Sequence, residues 1–121
     1  MQLLFVYNAN SGAANAVLDS MHKILSPSTY DCKLCELTFG TITERKIWKE
    51  FRERSAVDMR FLHKDEFNKE FRSKWLPKYS FPVVLIRNNN QLQLFITTEE
   101  FEALNSPQAL VNLIQERLSL Y

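Results

Sequence analysis

The period of the apolar residues switches repeatedly along this chain between short continuous runs and helical spacing. That alternation restricts the fold more than any single motif does. Leu3 to Tyr7 is one continuous apolar run, the pattern of a strand buried on both faces. Asn8-Ala9-Asn10-Ser11-Gly12 breaks it with turn and cap chemistry. From Ala13 the spacing becomes helical. Val17, Leu18, Met21, Ile24 and Leu25 recur on one side, and Asn15, Asp19 and His22 form a polar stripe. Ser26-Pro27 stops this helix, because the residue before a proline is pushed out of the helical region.

A second strand is predicted within Lys33 to Phe39, with Gly40 as its exit. Thr41-Ile42-Thr43-Glu44 has the form of a capping box and opens a helix carrying Ile47, Trp48 and Phe51 inward. Basic and acidic residues alternate on its outer face, as on a solvated surface. Val57 to Leu62 is the third strand. Asp65 starts a third helix, with Phe67, Phe71 and Trp75 at i, i+4 and i+8 for packing, and Pro77 ends it. Phe81-Pro82-Val83-Val84-Leu85-Ile86 is the strongest strand signal. Asn88-Asn89-Asn90 then turns the chain, and Leu92, Leu94 and Ile96 alternate on the way back. Ser106 with Pro107 opens the last helix, which buries Leu110, Val111, Leu113, Ile114 and Leu118. The order β-α-β-α-β-α-β-β-α predicts one α/β domain over residues 1–121: a three-layer sandwich with a mostly parallel sheet and a terminal antiparallel hairpin.

Charge removes several functional classes. The chain has 15 basic and 14 acidic residues for a net +1, so no basic excess argues for nucleic acid or a polybasic membrane anchor. No apolar run approaches the roughly eighteen residues that span a bilayer. The strand at Gln2 to Tyr7 leaves no room for a signal peptide before it, and two cysteines without one point to a reducing cytoplasm.

The succession of elements resembles the thioredoxin-like fold over essentially the whole chain, and Pro82 is the residue that carries the likeness furthest. In that fold a cis-proline precedes the fourth strand beside the active site, and cis bonds are nearly confined to X–Pro. The resemblance implies a redox pair after the second strand, opening the second helix. Thr38-Phe39-Gly40-Thr41 occupies that place and has no thiol. Cys32-Lys33-Leu34-Cys35 falls instead before or within the predicted strand. Extended, the two cysteines lie ~10 Å apart at about 3.3 Å per residue. A disulfide needs Cα atoms within about 7 Å, so the pair closes only if a tight turn forms there.

The thiols also suggest a metal site. Cys32, Cys35 and His22, with Asp19 one turn before it, can hold zinc or iron. His63 is excluded from that set, because the predicted topology puts it at the opposite end of the strands, roughly 20 Å away. The alternative is two half-buried thiols acting as small hydrophobes.

Tyr7-Asn8-Ala9-Asn10-Ser11-Gly12 resembles the asparagine-x-x-serine-glycine turns of lipid and diacylglycerol kinases, with Ala9 in place of their proline. An ordinary helix cap accounts for it equally. The wider pattern also resembles a group of short bacterial proteins, some loosely labelled GTPase. It comprises that turn, Asp19, His22-Lys23, Ser26-Pro27, both cysteines, Leu37-Thr38-Phe39-Gly40, and His63 with Asp65-Glu66-Phe67. The chain has neither a lysine-bearing phosphate loop nor a guanine-reading asparagine-lysine-x-aspartate, so the residues do not support that label.

In open α/β sheets ligands gather beyond the carboxyl ends of the strands. Asn8, Asn10, Ser11, Thr38, Thr41, His63 and Asp65 are predicted to line that rim, with Pro82 beside it and His63 as a candidate general base. The expectation is a small cytoplasmic domain binding a small polar or thiol-containing ligand there, without dithiol catalysis. A thiol or metal–thiol redox protein using Cys32 and Cys35 with His22 is the first alternative, and a non-catalytic partner-binding module the second.

Overall fold

The computed structural model describes residues 1–9, 32–39, 43–71 and 78–121. The predicted first helix, together with Asn10, Ser11, Gly12, Asp19, His22, Gly40, Thr41, Trp75 and Pro77, lies outside the described residues.

Strand β1 (Gln2–Tyr7) is followed by helices α1 (Lys33–Thr38) and α2 (Lys46–Arg54), strand β2 (Asp58–His63) and helix α3 (Lys64–Glu70). Strands β3 (Val83–Asn88) and β4 (Gln91–Ile96) come next, then helices α4 (Thr98–Glu102) and α5 (Pro107–Leu118). The sheet order is β2-β1-β3-β4. β1 runs parallel to β2 with Tyr7 opposite His63, and antiparallel to β3 with Val6 opposite Val83. β3 and β4 form an antiparallel hairpin.

The sheet is therefore mixed, which corrects the mostly parallel sheet predicted from the sequence. The departure lies at β3, which runs antiparallel to β1 although a helix precedes it, where a β-α-β crossover predicts a parallel strand. Separately, Lys33–Thr38, predicted as a strand, is a helix. Leu34, Cys35, Leu37 and Thr38 are its buried positions. Their i, i+1, i+3, i+4 spacing is helical, but in six residues it is hard to tell from a buried strand. Without that strand, β1 and β2 are the one parallel pair among the described strands.

Alternation along β1 sorts the core onto the two faces of the sheet. Leu3 and Phe5 join Val84, Ile86 and Ile96 under α1, α2 and α5. Leu4 and Val6 join Leu62, Val83 and Leu85 under Phe67 of α3. Trp48 is fully buried and meets Phe5 edge to face with centroids 5.4 Å apart. Ile47, predicted to point inward, is 45% exposed. Helix α2 starts at Lys46 without a side-chain cap, and the Glu44 carboxylate accepts from Arg52 Nε and Nη2 instead.

The hairpin turns at Asn89 (φ 53°) and Asn90 (φ 66°), the left-handed pair of a two-residue turn. Thr97 and Glu100 form a reciprocal capping box that opens α4, a helix not anticipated from the sequence. At the last helix, Ser106 Oγ accepts the Ala109 N–H and Pro107 stands in the first turn. The Phe81–Pro82 peptide is cis.

Candidate functional site

The site begins where β1 leaves the sheet. Beyond Tyr7, the backbone N–H of Asn8 donates to Cys32 Sγ at 3.4 Å. Cys32 is the N-cap of α1, and its sulfur also accepts the Cys35 N–H at 3.3 Å, the place an oxygen usually takes at a helix start. The helical turn brings the two Cα atoms to 5.3 Å, and the cysteines are joined as a disulfide. The extended geometry predicted for this pair is thus replaced by a tight turn. Cys32 is 2% exposed and Cys35 9%.

His63 is at the same end of the sheet, not the opposite one. It pairs with Tyr7 across the parallel ladder, and the two rings are 5.8 Å apart. The predicted separation relied on the sulfurs entering a strand that does not exist; as a helix start they lie against the exit of β1 instead. His63 is also the N-cap of α3. Glu66 Oε1 accepts its backbone N–H at 2.8 Å and lies 2.8 Å from its Nδ1. These contacts, the backbone N–H first, hold the Glu66 carboxyl below the usual carboxylate range.

Asn8 also connects this corner to α3. Its Oδ1 accepts from Lys64 Nζ at 3.3 Å, and the Lys64 N–H donates to the Ala9 carbonyl at 3.0 Å. Across β1, Val6 pairs with Val83, so buried Pro82 stands beside the same exit. The Pro82 carbonyl accepts from Thr98 Oγ1 at 2.9 Å, and that hydroxyl lies 2.7 Å from Ser80 Oγ.

The structure therefore brings Asn8, Cys32, Cys35, His63 and Pro82 to one end of the sheet, with Asp65 in the adjoining first turn of α3. Thr38 is not among them. It is buried near the far end of α1, and its hydroxyl donates to the Leu34 carbonyl at 2.8 Å. Asn10, Ser11, Thr41 and the proposed metal ligand His22 lie outside the described residues. Among the described residues, no group of three His, Cys, Asp or Glu side chains converges as a metal site would require. No described helix is long and apolar enough to cross a membrane.

Lys64 and Glu66 follow His63 at the predicted strand exit, but neither is among the residues predicted to line the rim. A signal existed for Glu66, three residues after His63 at a helix start. Lys64 and Asn8 are 56 positions apart, and nothing local links them. No protein-family model, curated protein or solved structure matches the chain.

Proposed function

We propose that this chain is a thioredoxin-like thiol–disulfide exchange domain whose working pair is Cys32 and Cys35. The observation that carries the reading is the disulfide at the opening of α1, with Cys32 Sγ accepting two backbone N–H groups. On reduction these donors favour the thiolate of Cys32 over its thiol, and the thiolate is the nucleophile in exchange. Both donors are backbone groups fixed by β1 and α1, so little reorganises when charge appears on the sulfur. The thioredoxin-like resemblance implies a redox pair opening a helix and a cis-proline beside it. Here the pair opens α1, and Pro82 leads into β3 at the same end of the sheet. The ligand rim expected from the sequence thus acquires the thiols it lacked in that reading.

The test is exchange between the reduced protein and oxidised glutathione. Wild type is expected to form its internal disulfide and release glutathione. Cys35→Ser is expected to accumulate a mixed disulfide on Cys32, and Cys32→Ser to do neither. A wild type that leaves oxidised glutathione untouched rejects the proposal.

The burial of both sulfurs favours a second reading, a fixed cross-link that locks the first turn of α1. A cross-link closing so short a loop contributes about 2 kcal/mol in the chain-entropy model. Under that reading, dithiothreitol reduces the pair only as the protein unfolds.

A further inference from the structure

We infer that His63 and Glu66 act as a proton-handling pair for the thiol chemistry at Cys32, with His63 Nε2 exchanging protons with the reacting thiols. The inference rests on the exchange reading of Cys32 and Cys35. Glu66 is the positioning residue: it holds the imidazole in the form that leaves Nε2 with a lone pair.

The tautomer follows from the contact. An ionised carboxylate only accepts hydrogen bonds, so the atom 2.8 Å from Glu66 Oε1 must be Nδ1 carrying its proton. Among the described residues, no hydrogen bond reaches Nε2, and the side chain is 28% exposed. The placement is equally direct. His63 lies opposite Tyr7, and the next residue, Asn8, holds Cys32 Sγ. The Tyr7 and Phe61 rings, which pack on the same core as both cysteines, set the face of the sheet that His63 shares by alternation. Among the described residues, the charged and titratable groups around the imidazole are Glu66, Lys64 and Asp65 of α3 and Tyr7 of β1, with Arg52 of α2 acting on Tyr7 from beside Glu44. Lys64 is turned toward Asn8, which leaves Glu66 as the partner of the imidazole.

The protons balance as follows. The Cys32 thiolate attacks one sulfur of an external disulfide; a Cys32–sulfur bond forms, the external sulfur–sulfur bond breaks, and the leaving thiolate takes a proton from imidazolium Nε2. The Cys35 thiol then passes its proton to neutral Nε2. Its thiolate attacks Cys32 Sγ, restoring the internal disulfide, and the second external thiolate leaves with that proton. One disulfide is reduced to two thiols, the protein dithiol is oxidised, and His63 ends neutral.

The experiment is the rate of exchange with oxidised glutathione across about pH 5 to 9 for wild type, His63→Gln and Glu66→Gln, with ¹⁵N-imidazole NMR of wild type assigned by His22→Gln. The expected loss in His63→Gln is on the order of 10²-fold. Glu66→Gln keeps an acceptor for Nδ1–H but loses the carboxylate charge, so its rate is expected to fall between those of wild type and His63→Gln. The NMR is expected to show His63 protonated on Nδ1 when neutral. An active wild type matched in rate and pH profile by His63→Gln overturns this inference and leaves the exchange reading standing. A proton on Nε2 of neutral His63 also overturns it, whatever the variants do. A wild type inactive at every pH overturns both.

Discussion

The backbone N–H of Asn8 points at the sulfur of Cys32, 3.4 Å away, and so ties the exit of the first strand to the start of a helix 24 residues later. The donor is main chain, so its position depends on the β1 ladder and not on the Asn8 side chain, which is engaged by Lys64. One residue earlier, Tyr7 carries the register to His63. Three segments distant in sequence thus meet at one strand exit, and the chemistry proposed for the chain is built on that junction.

Acid is expected to weaken the fold through Glu100. Bonded by Arg117, its carboxyl is lowered from 4.5 to about 2. A carboxyl depressed on folding adds stability above its unfolded value and loses it as pH falls, here between about pH 4.5 and 2. Full burial of the effect gives about 3 kcal/mol, and the partial exposure of the pair reduces this to about 1–2 kcal/mol. Urea titrations of wild type and Glu100→Gln are expected to differ by that amount at pH 7 and to converge near pH 2.

Trp48 is fully buried, and among the described residues its Nε1 has no hydrogen-bond partner. Trp48→Ala is expected to cost about 3–5 kcal/mol through the cavity it leaves beside Phe5 and Phe61. Trp48→Phe retains most of the ring area and removes the unpaired N–H, so a cost under about 1.5 kcal/mol is expected. Chemical denaturation of the two variants checks the difference. Equal costs would mean that the indole N–H is satisfied in solution.

Asn90, at φ 66°, is in a conformation glycine adopts without a Cβ penalty. Asn90→Gly creates the preferred residue pair of this turn and is expected to raise Tm slightly, while Asn90→Val is expected to cost about 1–2 kcal/mol. Thermal melts decide it, and a neutral Asn90→Val would contradict the turn geometry.

Much of the framework was legible because its signals are local. Ser106-Pro107 announces α5 through a hydroxyl cap and a residue with no N–H to lose, and three successive asparagines announce a turn with positive φ. Lys33–Thr38 was misread because six residues carry too little periodicity to separate helix from strand. That single error propagated. It stretched the cysteine pair beyond bonding distance and put both sulfurs at the far end from His63, while the mostly parallel sheet failed separately, at the antiparallel return of β3. Thr97-Thr98-Glu99-Glu100 carried a capping-box signal that was overlooked beside the stronger strand pattern of Leu92 to Ile96. The contacts of Asn8 with Cys32 and Lys64 have no sequence signature, since Lys64 is brought to it by the β1–β2 register and Cys32 by the packing of α1 on the sheet.

The most direct measurement is the reduction potential of the Cys32–Cys35 pair in the folded protein, equilibrated against glutathione and dithiothreitol and read by thiol alkylation. The expected value lies between about −270 and −120 mV, the range of proteins that exchange disulfides. A value below about −300 mV, where structural cross-links lie, would contradict the exchange function.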